Sequence, residues 1–162
     1  MSTFARRRIV QDLARVMKEP PHGIIATPFS DNIMICHAVI SGPIDTYWEA
    51  GNFQLIIKFT EQYPTEPPVI QFLSKMFHPN IYPDGNICLD ILQKKWSAMF
   101  DVASALTSIQ SLLADPNPES PANTEAARFF KENLAYYNKL VLQCVEDSWC
   151  VSNLKIGPKW FR

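Results

Sequence analysis

The chain has 162 residues, of which 47% are hydrophobic and 19% charged, and its formal net charge is −1. That length suffices for one domain with a substantial core, and the composition is typical of a globular protein. The nearly balanced charge argues against a general nucleic-acid binder, and no apolar run is long enough to cross a membrane.

The cysteines and histidines show no metal-ligand spacing, because the four cysteines form no Cys-x-x-Cys pair and the three histidines lie far apart. Three arginines stand near the N-terminus, but the apolar core of a signal peptide does not follow them. We therefore expect an intracellular protein with reduced thiols, which suits a catalytic cysteine. The four cysteines are Cys36, Cys88, Cys144 and Cys150.

Residues 3–18 are predicted to form an amphipathic helix, capped by Ser2 or Thr3 and ended by the prolines at 20–21. The spacing of four side chains predicts its apolar face: Ile9, Leu13, Val16 and Met17. The helix carries a net charge of +4, which leaves −5 for the rest of the chain. Such a face is either simply solvated or a docking surface that steers an acidic partner. Its charged side chains are Arg6, Arg7, Arg8, Arg15 and Lys18 against Asp12.

Four strand-like segments follow at residues 24–27, 33–40, 52–60 and 69–73, separated by turn residues. The third alternates clearly, with Phe53, Leu55, Ile57 and Phe59 on one side. Consecutive strands joined by short turns predict an antiparallel meander.

Helices are predicted for the C-terminal part. Asp101 can cap a helix from Val102 to Ala114, and a proline-stiffened loop at 115–121 separates it from helices at about 124–133 and 134–148. The order of helix, four strands, irregular segment and helices predicts an α+β fold with helices on one face of the sheet.

The irregular segment 76–97 has the richest chemistry in the chain. Turn signals at 79–80 and 83–86 bracket residues 81–82, which are too few for a regular strand. Irregular chain on a rigid scaffold is where functional groups concentrate. By itself Cys88 could be a small buried apolar residue and Asn80 a turn residue. For His78 a structural role is the favoured interpretation.

The spacing within this segment resembles the active-site signature of ubiquitin-conjugating enzymes. The signature begins with His78-Pro79-Asn80, and Cys88 follows Asn80 by eight residues, as in the family. Leu89-Asp90-Ile91-Leu92 and Trp96-Ser97 complete the pattern. The resemblance covers about residues 4–149 and implies that family's fold. It also implies that Cys88 accepts the C-terminus of ubiquitin as a thioester from an activating enzyme, after which a substrate lysine attacks the thioester.

The resemblance suggests roles for four more residues. Asn80 would either stabilise the developing oxyanion or brace the loop. Tyr82 and Asp90 would line the approach of the lysine, although a packed turn aromatic and a solvated acid are equal alternatives. Ser120 stands where many relatives carry an acid, and Ser120-Pro121 is typical of a proline-directed phosphorylation site, or else an exposed loop serine.

Two partner surfaces follow from the resemblance. The activating enzyme would dock on the basic helix at Arg6, Arg7 and Arg8. A RING-type ligase would bind two loops, and at Ala98 many relatives have proline, so the second loop is expected to be looser here. The residues expected on the ligase surface are Tyr63, Pro64, Pro67, Trp96, Ser97 and Ala98.

The start Met-Ser-Thr-x-Ala-Arg-Arg-Arg is similar to the DNA-repair and N-degron branch of the family, which ubiquitinates histones. We therefore expect a monomeric enzyme of the cytoplasm and nucleus, with a catalytic domain at 1–149 and a short tail at 150–162. No cofactor is expected, since ATP is used by the activating enzyme and the chain has no phosphate-binding glycine loop. Binding to nucleic acid or to a membrane is not expected either. The alternatives are conjugation of another ubiquitin-like modifier, an inactive ubiquitin-binding scaffold and an unrelated thiol hydrolase.

Overall fold

The computed structural model describes residues 2–150, and within them the predicted order of elements is present. The elements are α1 (Phe4–Lys18), β1 (Ile24–Phe29), β2 (Asn32–Ser41), β3 (Asn52–Lys58), β4 (Val69–Phe72), a short 3₁₀ helix (Asp90–Leu92), α2 (Val102–Ala114), α3 (Thr124–Glu132) and α4 (Leu134–Ser148). The expected α+β class is confirmed. The predicted tail lies outside the described residues, except for Cys150. None of the helices between residues 2 and 150 combines the length and apolar character needed to cross a membrane.

The four strands form one antiparallel sheet in the order β1-β2-β3-β4, so the predicted meander is confirmed. The alternation predicted in β3 is also present, because Phe53, Leu55 and Ile57 are fully buried. The prediction ended β1 at Thr27, but the strand continues to Phe29. Pro28 is tolerated there because β1 is an edge strand, whose outer side needs no amide donor.

Helix α1 packs on this sheet through Ile9, Leu13 and Val16. Thr3 caps it, since its hydroxyl accepts a hydrogen bond from the Arg6 amide at 3.2 Å. Met17 was expected on the apolar face, and that prediction is wrong, because its side chain is 53% exposed. Asp12 takes a place on the buried face instead and is only 2% exposed.

Helix α2 forms the centre of the core. The predicted stripe of Val102, Leu106, Ile109 and Leu113 is confirmed, with every member at most 1% exposed. Asp101 caps the helix as predicted, accepting the Ser104 amide at 2.9 Å. The C-terminal end of this buried helix reaches the segment that contains the candidate site.

Candidate active site

Cys88 follows a short hairpin formed by residues 81–87. Ile81 and Ile87 form an isolated antiparallel bridge, and the Tyr82 amide donates to the Asn86 carbonyl at 2.8 Å. Gly85 closes the turn and accepts a hydrogen bond from the Phe72 amide at 2.9 Å, which attaches the hairpin to β4. Its φ is +96°, and a Cβ there would lie 2.1 Å from the Phe72 carbonyl oxygen. Only glycine fits this position without moving the hairpin.

His78 anchors the same segment to the C-terminal end of α2. Its ring is fully buried, with Nε2 2.7 Å from the Leu112 carbonyl oxygen and Nδ1 2.9 Å from the Asn80 amide nitrogen. A carbonyl can only accept and an amide N–H can only donate, so the imidazole is neutral with its proton on Nε2. Burial lowers the pKa of His78 to about 4, and the hydrogen bond to Leu112 opposes this only partly. The structural role predicted for His78 is therefore confirmed.

Asn80 joins Cys88 to the loop at 115–121. Its backbone carbonyl accepts a hydrogen bond from the Cys88 amide at 2.8 Å. Its side-chain oxygen accepts from the Asn117 amide at 2.7 Å, and Nδ2 donates to the carbonyls of Asn117 at 2.8 Å and Ser120 at 3.4 Å. The buried side-chain amide is thus engaged with the loop on both of its atoms.

Pro79 has a role that the sequence did not indicate. Its carbonyl accepts hydrogen bonds from the amides of Ala122 at 2.7 Å and Asn123 at 3.0 Å, just before α3 begins. Only a backbone atom is used, so no side-chain pattern could have predicted this contact. Together, residues 78–80 connect Cys88, the loop, α2 and the start of α3; we call this tripeptide the junction.

The cysteines differ sharply in their surroundings. Cys36 and Cys144 are buried, and desolvation raises the pKa of the first thiol to about 12 and of the second to about 11. Cys88 is half-buried beside the junction, and Cys150 is exposed at the end of α4. Cys88 is therefore accessible to a reagent or partner while its backbone is held in place.

The other expected site residues lie at the surface around this segment. Tyr82 is 44% exposed, and Ser120 is exposed in the loop that Asn80 holds. The carboxylate of Asp90 is exposed and lies 3.1 Å from the Lys95 ammonium. Within residues 2–150, no group of three or more acidic, cysteine or histidine side chains is placed to hold a metal ion.

The residues expected to bind a ligase divide into supporting and exposed groups. Tyr63 and Pro64 are buried, so they support their loop from within. Trp96 is half-buried and donates to the Pro64 carbonyl at 2.8 Å, which ties the two loops together. Ala98 is exposed and its neighbour Met99 is 91% exposed. Pro67 and Ser97 are half-buried.

The three arginines expected to meet the activating enzyme also differ. Arg6 forms an exposed ion pair with Glu61 at 3.1 Å, and Arg7 is exposed. Arg8 is turned inward to Asp12, with both carboxylate oxygens 3.0 Å from its Nε. The buried Asp12 was missed in the sequence, although its place between Ile9 and Leu13 on the apolar stripe was a usable signal.

Comparison of the sequence with known proteins shows which family the chain resembles. The family model described as ubiquitin-conjugating enzyme matches residues 8–145. The chain is 56% identical over 149 residues to Ubiquitin-conjugating enzyme E2 3 of Arabidopsis thaliana, and the alignment covers 92% of this chain and 99% of that protein. It is 54% identical over 149 residues to Ubiquitin-conjugating enzyme E2 2 of Fusarium solani, with the same coverage. The chain belongs to the ubiquitin-conjugating enzyme family.

Members of this family are ubiquitin transferases, and the predicted enzyme class is confirmed. As a ubiquitin-conjugating enzyme, the protein takes ubiquitin from an activating enzyme as a cysteine thioester and passes it to a substrate lysine together with a ligase. The resemblance found in the spacing around Cys88 thus identified the correct family.

Proposed function

We propose that Cys88 is the residue that carries ubiquitin and that the junction positions it for transfer. The supporting observation is that Cys88 alone, among the cysteines of residues 2–150, is both accessible and bonded to the junction, through the Asn80 carbonyl at 2.8 Å. The raised pKa values of Cys36 and Cys144 keep those thiols protonated, and a protonated thiol is a poor nucleophile.

Two acyl transfers then take place at the sulfur atom. In the first, the Cys88 thiolate attacks the thioester carbonyl of ubiquitin on the activating enzyme, a new C–S bond forms and the donor thiolate leaves. In the second, a neutral substrate amine attacks, an amide bond forms, the Cys88 thiolate leaves and the amine loses a proton. No cofactor bound by this chain is needed for either step.

A charging assay with activating enzyme, ATP and ubiquitin tests the assignment. Wild type should give a reductant-sensitive adduct on non-reducing gels, Cys88→Ser a reductant-resistant ester and Cys88→Ala no adduct. Cys150→Ala is the matched control, because it removes the other accessible cysteine and should charge like wild type. Charging of folded Cys88→Ala would overturn the assignment and favour another acceptor, and failure of folded wild type to charge would favour a scaffold function.

We further propose that Asn80 acts first by bracing the loop at 115–121. Both atoms of its side-chain amide are bonded to that loop, which supports bracing more directly than donation to an oxyanion. Asn80→Ala should then accelerate amide hydrogen exchange at 115–121 and slow discharge to lysine. Slower discharge with unchanged exchange would instead support a purely electrostatic role.

Asp90 and Tyr82 are proposed to receive the incoming lysine. The Asp90 carboxylate is exposed, so an amine in solution can reach it, and the Lys95 ammonium at 3.1 Å is the cation with which that amine would compete. Asp90→Asn should reduce discharge to free lysine while leaving charging nearly unchanged. Tyr82→Ala should do the same through the loss of an apolar wall, and equal discharge by both variants and wild type would argue against this approach route.

Ser120 is proposed as a phosphorylation site that adds negative charge near the thioester. Its exposure and the proline that follows support access by a kinase, and the adjacent Glu119 already pairs with Lys131 at 3.1 Å. Enzyme phosphorylated at Ser120 should discharge ubiquitin at a different rate from unmodified enzyme and from the Ser120→Ala variant. Equal rates would leave Ser120 as an exposed loop serine.

We also propose that the enzyme belongs to the branch that serves DNA repair and histone ubiquitination, as a monomer in the cytoplasm and nucleus. This proposal depends on the similarity of the N-terminal sequence, Met-Ser-Thr-x-Ala-Arg-Arg-Arg, to that branch. Transfer of ubiquitin to histones in reconstituted nucleosomes, compared with transfer to free lysine, tests the substrate. No transfer to histones under conditions that discharge the thioester to lysine would contradict it.

A further inference from the structure

One charged network connects α1 to both loops of the proposed ligase surface. The Arg8 guanidinium lies against the Asp12 carboxylate, with Nε 3.0 Å from each oxygen, and its Nη2 donates to the carbonyls of Ala98 and Phe100 at 2.9 Å each. The Tyr63 hydroxyl donates to the same carboxylate. A single arginine therefore holds residues 98–100 directly and the loop at Tyr63 through Asp12.

The network is buried enough to be rigid. Asp12 is 2% exposed, and the Arg8 side chain is 23% exposed. A buried carboxylate is costly unless it is paired and hydrogen-bonded, and here Arg8 and Tyr63 together satisfy it. Desolvation and the Asp12 carboxylate raise the pKa of Tyr63, so its hydroxyl remains a donor at neutral pH.

The Arg8 contacts bracket a tight turn whose tip is the most exposed large apolar side chain of the described residues. The Phe100 amide donates to the Ser97 carbonyl at 2.9 Å, which closes a turn with Ala98 and Met99 in its two central positions. Met99 is 91% exposed. An alanine at the first central position leaves φ free, so the guanidinium fixes the turn by binding the carbonyls on either side of Met99.

We propose that Arg8 is a positioning residue for the ligase-binding loops, and that its main effect is on ligase-dependent transfer rather than on docking of the activating enzyme. This inference rests on the proposed function of these loops. Arg7 supplies the contrast, because its side chain is exposed and its hydrogen bond within residues 2–150 goes to the Ser2 carbonyl, at 3.1 Å. The neighbouring arginines thus serve different surfaces although the sequence presents them as one basic run.

The Arg8→Lys variant tests this while keeping the positive charge. Lysine lacks the planar fork that reaches one carboxylate and two carbonyls together. The assay uses a RING domain that accelerates discharge of the wild-type thioester. For Arg8→Lys, we expect the KM for this RING domain to rise about tenfold, which corresponds to the low end of the free-energy cost of losing hydrogen bonds to a charged group. The maximal discharge rate and the charging rate should change less than twofold. Arg7→Lys, the matched control, should leave the RING KM within twofold of wild type.

A rescue experiment separates positioning from simple loss of stability. Proline at position 98 would fix φ near −65°, the value required at the first central position of an ordinary turn. Among residues 2–150, the non-glycine residues with positive φ are Asp45 and Ala50, so the φ of Ala98 has the negative sign that proline requires. Ala98→Pro added to Arg8→Lys should restore the RING KM to within about threefold of wild type, and should restore slow hydrogen exchange at the amides of residues 99 and 100, since proline at 98 has no amide hydrogen.

The outcomes are distinguishable. If wild type does not charge at Cys88, the proposed function fails before Arg8 is tested. If Arg8→Lys lowers charging and discharge equally, or loses stability without rescue by proline, Arg8 is only a structural residue. If no RING domain accelerates discharge of the wild-type thioester, amide hydrogen exchange at 98–100 is compared between wild type and Arg8→Lys instead. Unchanged exchange in Arg8→Lys would then overturn the proposal. Should Arg8→Lys fail to fold, Tyr63→Phe removes one bond of the network and should give a smaller KM effect in the same direction.

Discussion

At the residue scale, the junction at 78–80 holds the site together with groups of three kinds. An imidazole reaches α2, a backbone carbonyl reaches the start of α3, and a side-chain amide reaches the loop at 115–121. These polar groups are buried. Leaving one of them without a partner would therefore cost more stability than a formed hydrogen bond contributes. Several neighbouring groups therefore fix the position of the segment that contains Cys88.

Protonation of His78 should destabilise the fold in acid. The unfolded histidine binds a proton near pH 6.5, whereas the folded one does so only near pH 4. Between these pH values the folded form binds fewer protons than the unfolded form. The free energy of unfolding is therefore highest above about pH 6.5 and decreases towards pH 4, by about 3 kcal/mol in total. Urea unfolding between pH 4 and 7 measures this.

The surface residue His22 provides the control for that measurement, since His22→Gln removes a histidine without touching the junction. His78→Gln should lower stability at pH 7 and flatten the pH dependence. An unchanged pH dependence in His78→Gln would show that other groups cause the acid loss.

The four cysteines should react in an order set by burial. Brief treatment of the native protein with iodoacetamide at pH 7.5 should label Cys88 and Cys150, because those side chains are accessible. Cys36 and Cys144 should label only after unfolding, since they are buried and their pKa values are raised to about 12 and about 11. Peptide mapping by mass spectrometry gives the order, and early labelling of Cys36 would contradict it.

At the scale of elements, α2 links the core to the site. Its apolar stripe fills the centre of the core, and its last turn supplies the carbonyl that holds His78. At its other end, Asp101 and Ser104 form a reciprocal capping box, with hydrogen bonds of 2.8 and 2.9 Å. The C-terminal end of α2 therefore supports the junction, and the capping box holds the N-terminal end of the same helix.

Removing the cap should have a measurable cost. Asp101→Ala should lower the free energy of unfolding by about 1 kcal/mol, because an unsatisfied amide is left at the helix start. Asp101→Asn should cost less, since asparagine also caps and only the ion pair with the largely exposed Arg15 at 3.3 Å is lost. Urea unfolding compares the two, and equal losses would show that the ion pair matters more than the cap.

At the scale of the whole molecule, charge is distributed unevenly. Helix α1 carries +4 and the remaining chain −5. Much of the positive charge is neutralised locally, because Arg6, Arg8 and Arg15 pair with Glu61, Asp12 and Asp101. Within the described part of the chain, Arg7 and Lys18 form no ion pair, so their charges are the ones left to act at a distance.

Charging should therefore depend on salt through these two residues. If α1 docks the activating enzyme, kcat/KM for charging should fall severalfold between 50 and 300 mM NaCl, as screening weakens electrostatic steering. Arg7→Glu combined with Lys18→Glu should lower the low-salt value and reduce the salt dependence. Lys139→Glu, an exposed change on α4, is the control. A double variant with wild-type salt dependence would place docking elsewhere.

Local sequence patterns were sufficient to predict the elements, the fold class and the family. Periodicity gave α1 and α2 because an apolar stripe must face the core, and alternation gave β3 because a sheet buries one face. The spacing from Asn80 to Cys88 is a local property of one turn and one hairpin, so it could be recognised without any knowledge of the rest of the chain.

The contacts between polar groups, in contrast, depend on how distant parts of the chain come together in the fold. The contacts of Arg8 with residues 98 and 100, and of Asn80 with residues 117 and 120, join parts of the chain that are distant in sequence. Their partners are largely backbone carbonyls and amides, which every residue possesses and which leave no mark in the sequence. Periodicity reports that a face is buried, whereas the choice of Asp12 over Met17 for that face depends on Arg8 and Tyr63 being present to satisfy a carboxylate.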